Sequence, residues 1–465
     1  MAHENLLKNI DGVYAAGLCT QCGTCYSFCP KDNIRMKCSS TGDFIFYIKD
    51  RSECAGCSIC YRVCPGHTVD FDALNTSMFS KISEDKYLGN YRTTFLAQSL
   101  SEKVRKVSAS GGVVSSLLIS ALNSGLIKGA LVVKMNGKRP LEPEIFVARN
   151  EEEILSAAQS KYLPVPMNVG IREILDDNGK FASVGLPCHI HGIRKAECVF
   201  PKLREKIAFC IGLFCIHSAS FLMTDYLIKK ARIRMSNVSE LRYRDKQYEG
   251  KWPGGMRIAT KSEEEKYIPY KSYQYAHRLF ALARCNICPD FSNELADISL
   301  GDAHLSEFWR GEGFLCSQGS VLRGEEGWNL GICRTHYGEA LLKQAVDSKI
   351  VKVIDINPGI LTKSQRAGLY YKKHSFFARM GIHKALGYKL PLFNGIEQRD
   401  RLSVMDYVKP LISFLIQHVS NTRVGSFIIR IIPQKVLMKK LRFKQELTDM
   451  RFGRVEYGSH VSAAK

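Results

Sequence analysis

Eight cysteines near the start of the chain repeat at a fixed offset. Cys19, Cys22, Cys25 and Cys29 recur as Cys54, Cys57, Cys60 and Cys64, with Tyr26 recurring as Tyr61 and Pro30 as Pro65. Each half reads C-x-x-C-x-x-C-x-x-x-C-P. Thiolates at this spacing wrap a [4Fe–4S] cube, three from one run holding it while the fourth crosses to the other cube. The repeat therefore predicts one cluster on Cys19, Cys22, Cys25 and Cys64, and a second on Cys54, Cys57, Cys60 and Cys29. Structural zinc also takes four thiolates, but zinc modules present separated Cys pairs rather than triplets closed by Cys-Pro. Each Cys-Pro is expected to lead a short helix. Phe44-Ile45-Phe46-Tyr47-Ile48 reads as a strand backing the clusters with apolar bulk, and Cys38, outside the repeat, reads as a packed thiol.

The rest of the composition suits that chemistry. Seventeen cysteines in 465 residues would be a disulfide framework in a secreted protein. The start, Met1-Ala2-His3-Glu4-Asn5, has no basic segment followed by an apolar one. The expectation is a cytoplasmic chain whose clustered cysteines are ligands. The 45% apolar and 24% charged fractions exclude disordered and fibrous classes, and no apolar run reaches the roughly 18–20 residues of a spanning helix. The length allows two or three domains.

After Asp70 helices and strands alternate. Ser108-Ala109-Ser110-Gly111-Gly112 leads into a helical pattern over 113–122 that ends at Asn123-Ser124-Gly125. Segments 130–133, 181–184, 206–214 and 296–300 read as strands. Two of them run into cysteine-bearing turns, Gly185-Leu186-Pro187-Cys188 and Gly212-Leu213-Phe214-Cys215, where open α/β sheets place ligands. Cys285-Asn286-Ile287-Cys288 adds a CxxC loop. Taken alone, that pair with two distant cysteines fits a cluster, zinc or nothing. Cys198, Cys210, Cys316 and Cys333 sit singly in apolar runs and read as core.

The segments SASGG, SKY (Ser160 to Tyr162), VGLPCHIHGIRK, IGLFC, CNICPDFSNELADISLGD and RTHYGEALL stand in the order and spacing of one family, from about Cys19 to Ala345. On these the chain resembles coenzyme F-420 hydrogenase/dehydrogenase beta subunits. The resemblance implies a flavin enzyme that binds FAD and a [4Fe–4S] cluster in its central domain, here on Cys188, Cys215, Cys285 and Cys288. There is no G-x-G-x-x-G and no P-loop. Ser110-Gly111-Gly112 by itself is a capped helix N-terminus. With the resemblance it becomes the candidate flavin cradle, since glycine lets a ligand approach and free N–H groups favour an anion. Lys161, Tyr162 and Pro187 are further candidate cofactor contacts. His189 and His191 receive no role, and no general acid or base is assigned.

The expected architecture is an α+β ferredoxin-like module (1–72), an α/β flavin domain with a mixed sheet (73–350) and a basic helical C-terminal region (351–465). The expected function couples one-electron transfer through clusters to hydride chemistry at FAD, because a flavin handles both. The alternative is a non-catalytic relay subunit docking on a partner enzyme. A redox partner protein and a small anionic substrate are implied. The net charge is +21, and residues 361–465 hold twenty Lys and Arg against six Asp and Glu. No nucleic-acid motif accompanies that charge. An amphipathic stripe from Val404 to Val419, followed by a second apolar stretch and a Lys/Arg run, can lie on an anionic membrane or pack on the chain's own central domain. The second is the ordinary expectation.

Overall fold

The computed structural model describes residues 8–39, 42–137, 139, 141–316, 319–398 and 401–432. In the N-terminal module a left-handed residue turns the chain into each short helix: Gly23 (φ 85°) before Thr24–Ser27 and Ser58 (φ 56°) before Ile59–Arg62. Each helix carries the third cysteine of its run and stops before the fourth. The helix expected after each Cys-Pro is thus replaced by one ahead of it. Cys29 and Cys64 precede proline, whose ring drives the preceding residue out of the helical region, and Pro30 and Pro65 lie in turns. Strand Phe44–Ile48 forms as expected and pairs antiparallel with Ile34–Cys38. Phe46 is buried in the same cluster as Cys25 and Cys64.

The central domain is built on an eight-stranded mixed sheet. Four parallel strands form its middle: Gly129–Met135, Phe181–Gly185, Ile207–Leu213 and Ile298–Asp302. Pro143–Ala148 flanks the first antiparallel, and Asn329–Cys333, Thr93–Ser99 and Val351–Asp355 continue antiparallel beyond the last. The apolar helices Val113–Asn123 and His336–Asp347 cover one face. The other face is covered by Ile171–Asp176 and Pro187–Val199 together with Phe28, Val63, Val69 and Phe71. The N-terminal module therefore shares a hydrophobic core with the sheet domain. A second core lies under the three-stranded sheet Val238–Asp245, Gly255–Thr260 and Glu265–Pro269, with helices Phe221–Lys230 and Tyr270–Leu279.

The described residues beyond 350 are woven into both parts. Val351–Asp355 is the edge strand of the central sheet, and Leu392–Asn394 pairs parallel with Thr68–Asp70. Three expectations are corrected. Cys38 and Cys198 are exposed, whereas Cys210, Cys316 and Cys333 are buried as expected. The stripe from Val404 to Val419 forms one helix through Pro410, Val404–Ser420, but its buried residues are Asp406, Gln417 and Ser420. These polar groups find partners on the domain, and the apolar face turns outward.

Arg334 is buried and knits three loops. Its guanidinium donates to the carbonyls of Leu88 (2.6 Å), Asn90 (2.7 Å) and Ser292 (3.1 Å) and to Ser299 Oγ (2.9 Å). Arg334→Ala strands three carbonyls, each costing about 1–3 kcal/mol when unpaired. We expect roughly 3–5 kcal/mol of lost stability, read from the urea midpoint of the holoprotein. A loss under about 1 kcal/mol would mean that water replaces the guanidinium.

Candidate iron–sulfur and flavin site

The thiols of the N-terminal runs lie within electrostatic reach of one another. Burial, reinforced by the Cys64 and Cys22 thiols, pushes Cys19 and Cys25 up, and Cys64 itself is pushed up to about 11 by burial and Cys22. Cys60, pushed up to about 11 by burial, neighbours Cys57, Cys29 and Cys54. Backbone N–H groups already point at sulfur: Gln21 to Cys19 (3.4 Å), Asn33 to Cys29 (3.3 Å) and Gly66 to Cys64 (3.3 Å). Buried thiols such as Cys19, Cys25 and Cys64 give up their protons when cations take them as thiolates. Eight sulfur donors with backbone N–H groups aimed at three of them are the donor chemistry of iron–sulfur clusters.

A third set forms in the central domain. Gly185 and Gly212 lie opposite each other at the ends of adjacent parallel strands, so the residues that follow emerge side by side. Cys188 stands in the first turn of helix Pro187–Val199 rather than in a turn before it. Cys215 follows strand Ile207–Leu213, and Cys285 and Cys288 flank the end of the 3₁₀ turn Ala283–Ile287. All four line one cavity, with Pro187 on its wall and Cys19 of the N-terminal module at the same lining. Burial raises the Cys188 thiol, and Cys22 raises it further, ahead of Cys215, Cys285 and Cys288. The N-terminal and central sets are therefore direct neighbours.

Cations and a fixed carboxylate surround this cavity. The Lys372 ammonium donates to the Cys285 carbonyl (2.9 Å). Burial disfavours its charge, but the thiols of Cys288, Cys285 and Cys215 outweigh that and raise its pKa. Asp290 is fully buried, bonded to His191 Nε2 (2.8 Å) and capping the N–H groups of Asn293 (2.8 Å) and Glu294 (3.0 Å). His189 Nδ1 accepts from the Leu186 N–H (3.1 Å), a cap for the cysteine-bearing helix. Both histidines hold the loop in shape.

The candidate flavin residues meet around a residue the sequence did not single out, Arg244. Its Nη2 reaches the Ala109 carbonyl (3.2 Å) and Asp302 Oδ2 (2.8 Å), its Nη1 the Tyr162 hydroxyl (3.0 Å), and its guanidinium lies 4.6 Å from the Tyr270 ring centre. Lys246 Nζ donates to the Ser110 carbonyl (2.8 Å), and burial lowers its pKa to about 8. His277 stands edge-on to Tyr162, ring centres 4.0 Å apart, and its buried Nε2 is without a hydrogen-bond partner. Two cations, tilted and edge-on aromatic rings and an unsatisfied buried nitrogen meet at this place.

The glycines themselves are closed in. A Cβ on Gly111 would lie 2.9 Å from both the Ala97 carbonyl oxygen and the Asn329 nitrogen. Asn329 Oδ1 takes the Val113 N–H (3.1 Å), and Ser110 Oγ donates to the Trp328 carbonyl (2.8 Å). Gly112, at φ 80°, opens helix Val113–Asn123. Lys161 spends its ammonium on the carbonyls of Ala157, Ala158 and Gln159 (2.5–3.0 Å). Its neighbour Tyr162 faces Arg244, while Pro164 and Val165 of the same segment line the cysteine cavity. That segment links the two places. Arg244, Lys246 and His277 carry no local motif, since the three-stranded sheet and its helix deliver them from afar.

A chain that presents twelve such cysteines beside this fold is an iron–sulfur electron-transfer component of an oxidoreductase. Residues 18–69 match a 4Fe-4S dicluster domain, and residues 94–172 and 178–359 match the N-terminal and C-terminal models of the coenzyme F420 hydrogenase/dehydrogenase beta subunit. The chain belongs to that family. It is 29% identical to the coenzyme F420 hydrogenase subunit beta of Methanothermobacter thermautotrophicus over 59% of this chain and 89% of that one. It is 26% identical to the coenzyme F420 hydrogenase subunit beta of Methanosarcina barkeri over 60% and 87%. The fold resembles a chain of the F420-reducing [NiFe] hydrogenase complex of Methanosarcina barkeri, with a TM-score of 0.50 and 24% identity over 67% of this chain and 98% of that one.

The crossed ligation expected from the repeat gives a test. Cys64→Ser should disturb the cluster of the Cys19, Cys22 and Cys25 run, and Cys29→Ser that of Cys54, Cys57 and Cys60, each costing up to about four irons. Paramagnetic resonance of the reduced variants distinguishes this from the uncrossed case, in which each substitution perturbs its own run.

Proposed function

We propose that this chain couples one-electron transfer through three [4Fe–4S] clusters to two-electron hydride exchange with a small anionic substrate at FAD. The carrying observation is that Cys188, Cys215, Cys285 and Cys288 line one cavity with Cys19, so that the central cysteines adjoin the first N-terminal run. When bound, the flavin supplies two-electron chemistry and the cubes one-electron chemistry. The chain's part is to place them. Residues 1–72 carry two clusters, 73–350 the third and the flavin, and the described part of 351–432 braces both. Arg244 and Lys246 bring positive charge to the nucleotide beside Tyr162. Ser110 and Gly111 fix this corner by packing on Trp328, Ala97 and Asn329, Gly112 opens the helix that follows, and Lys161 secures the turn before Tyr162. Cys54 and Cys57 are exposed, which suits the second cluster to exchange electrons with a docked redox protein. We take the coenzyme F420 of the relatives' names as one candidate substrate, and the cytoplasm as the place of action.

The exposed cysteines also favour a second reading, a relay subunit serving a catalytic partner. Anaerobically purified protein should carry about twelve irons, twelve sulfides and one FAD, and should reduce a dye with a two-electron donor. Arg244→Met and, as a milder change, Lys246→Met should each lower bound FAD several-fold at unchanged iron. About eight irons would remove the central cluster, and protein that takes up no flavin would leave the relay. Gly111→Val is a poor probe, because it collides with Ala97 and Asn329 before it meets a ligand.

A further inference from the structure

Helix Val404–Ser420 has its polarity reversed with respect to the protein. Its inner face bonds to the domain through polar groups. Asp406 takes the hydroxyl of Tyr370. Gln417 donates to the Arg278 carbonyl (3.0 Å) and accepts from Asn286 Nδ2 (2.7 Å), inside the Cys285–Cys288 loop. Ser420 bonds to the Leu279 carbonyl. The outer face holds Val404, Val408, Leu411, Ile412, Leu415, Ile416 and Val419, each between 38% and 77% exposed. They fall at the spacing of one helical stripe. Val424 and Ile428 of helix Arg423–Ile431 extend it. Beside it Tyr388 stands 5.8 Å from Phe414, ring centre to ring centre, in an exposed segment with Leu386 and Lys389.

Soluble surfaces scatter their apolar residues singly, and a contiguous aliphatic patch of this extent marks a surface that something covers. The charge pattern says what covers it. Residues 401–445 contain nine Lys and Arg and one acid. That acid, Asp406, is buried in the hydrogen bonds just described. A protein hot spot concentrates Tyr, Trp and Arg at its centre. Here the centre is Leu, Ile and Val, and the sequence that holds and follows it is rich in Lys and Arg, the composition of a helix lying in the interface of an anionic bilayer. Among the described residues no helix is long and apolar enough to cross a membrane.

We propose that helices Val404–Ser420 and Arg423–Ile431 dock this protein flat on an anionic lipid surface. The docking face and the Gln417 contact to Asn286 lie on opposite sides of one helix. The docked chain therefore holds its Cys285–Cys288 loop about one helix diameter, ~10–12 Å, above the headgroup boundary. The test is co-sedimentation of the full-length holoprotein with sucrose-loaded vesicles of phosphatidylcholine, with or without about one-third phosphatidylglycerol. The proposal expects binding to the anionic vesicles, and at least a tenfold weaker affinity, about 1.4 kcal/mol, without the anionic lipid. The double variant Ile412→Asp, Leu415→Asp should lose binding by a similar factor. Both sites are exposed, so its cluster absorbance should match wild type. Wild type that ignores anionic vesicles overturns the proposal, as does a double variant that binds them equally well. Vesicle-indifferent protein whose oligomer breaks up in the double variant would show instead that a second copy covers this face.

Discussion

Arg284 sits where the two iron–sulfur regions meet. Its Nε donates to the Leu18 carbonyl (3.1 Å), its Nη2 to Gly66 (2.9 Å) and its Nη1 to Ile287 (2.9 Å). Leu18 precedes Cys19, Gly66 follows Cys64 and Pro65, and Ile287 lies between Cys285 and Cys288. One buried guanidinium thus fixes three segments that each present thiols. Burial works against its charge and lowers its pKa, while Cys288, Cys285, Cys188 and Cys64 work to keep the charge. Once those thiols are thiolates the attraction grows, and the cation and the sulfur-rich cavity stabilise each other. Removing it would leave three carbonyls buried without donors at the junction.

The remaining architecture serves that junction. Helix Pro187–Val199 carries Cys188 in its first turn and, two turns later on the same side, Lys195, whose Nζ donates to the carbonyls of Cys64 (2.6 Å) and Thr68 (2.7 Å). Between them Gly192 packs so closely on Thr24 that a Cβ would overlap its hydroxyl. Asn168 bonds both Thr24 Oγ1 (2.8 Å) and the His189 carbonyl (2.8 Å). The parallel strands aim their carboxyl ends at the cavity, and the shared apolar core with Phe28, Val63 and Phe71 keeps the module from swinging away. The cysteine sets run in sequence: Cys22 beside Cys188, Cys25 within reach of Cys60, and Cys54 and Cys57 at the surface.

The N-terminal chemistry was legible because its spacing is local. Three thiols within seven residues and a Cys-Pro dictate a wrapped cube, and the strand Phe44–Ile48 follows from its apolar run. The strand ends at Gly185 and Leu213 were legible for the same reason. Arg244 was not: it belongs to strand Val238–Asp245, and only the tertiary packing sets it against Ala109 and Tyr162. Nor did the sequence reveal that Gly111 serves close packing on Ala97. The stripe from Val404 to Val419 shows the limit most clearly. Periodicity tells which side of a helix is apolar but not whether protein, water or lipid meets that side, and here Gln417 and Ser420 decided it by finding carbonyl and amide partners.

The central claim is that the four cysteines at the strand ends hold a cube in line with the two of the N-terminal module. Anaerobic crystals of the full-length protein, measured with X-rays on both sides of the iron absorption edge, locate iron without reference to any chemical assay. The account predicts three iron peaks in a row, the innermost enclosed by Cys188, Cys215, Cys285 and Cys288 and adjoining the one held by Cys19, Cys22, Cys25 and Cys64. Two peaks confined to the N-terminal module, or a zinc-edge signal inside the central cavity, would contradict it.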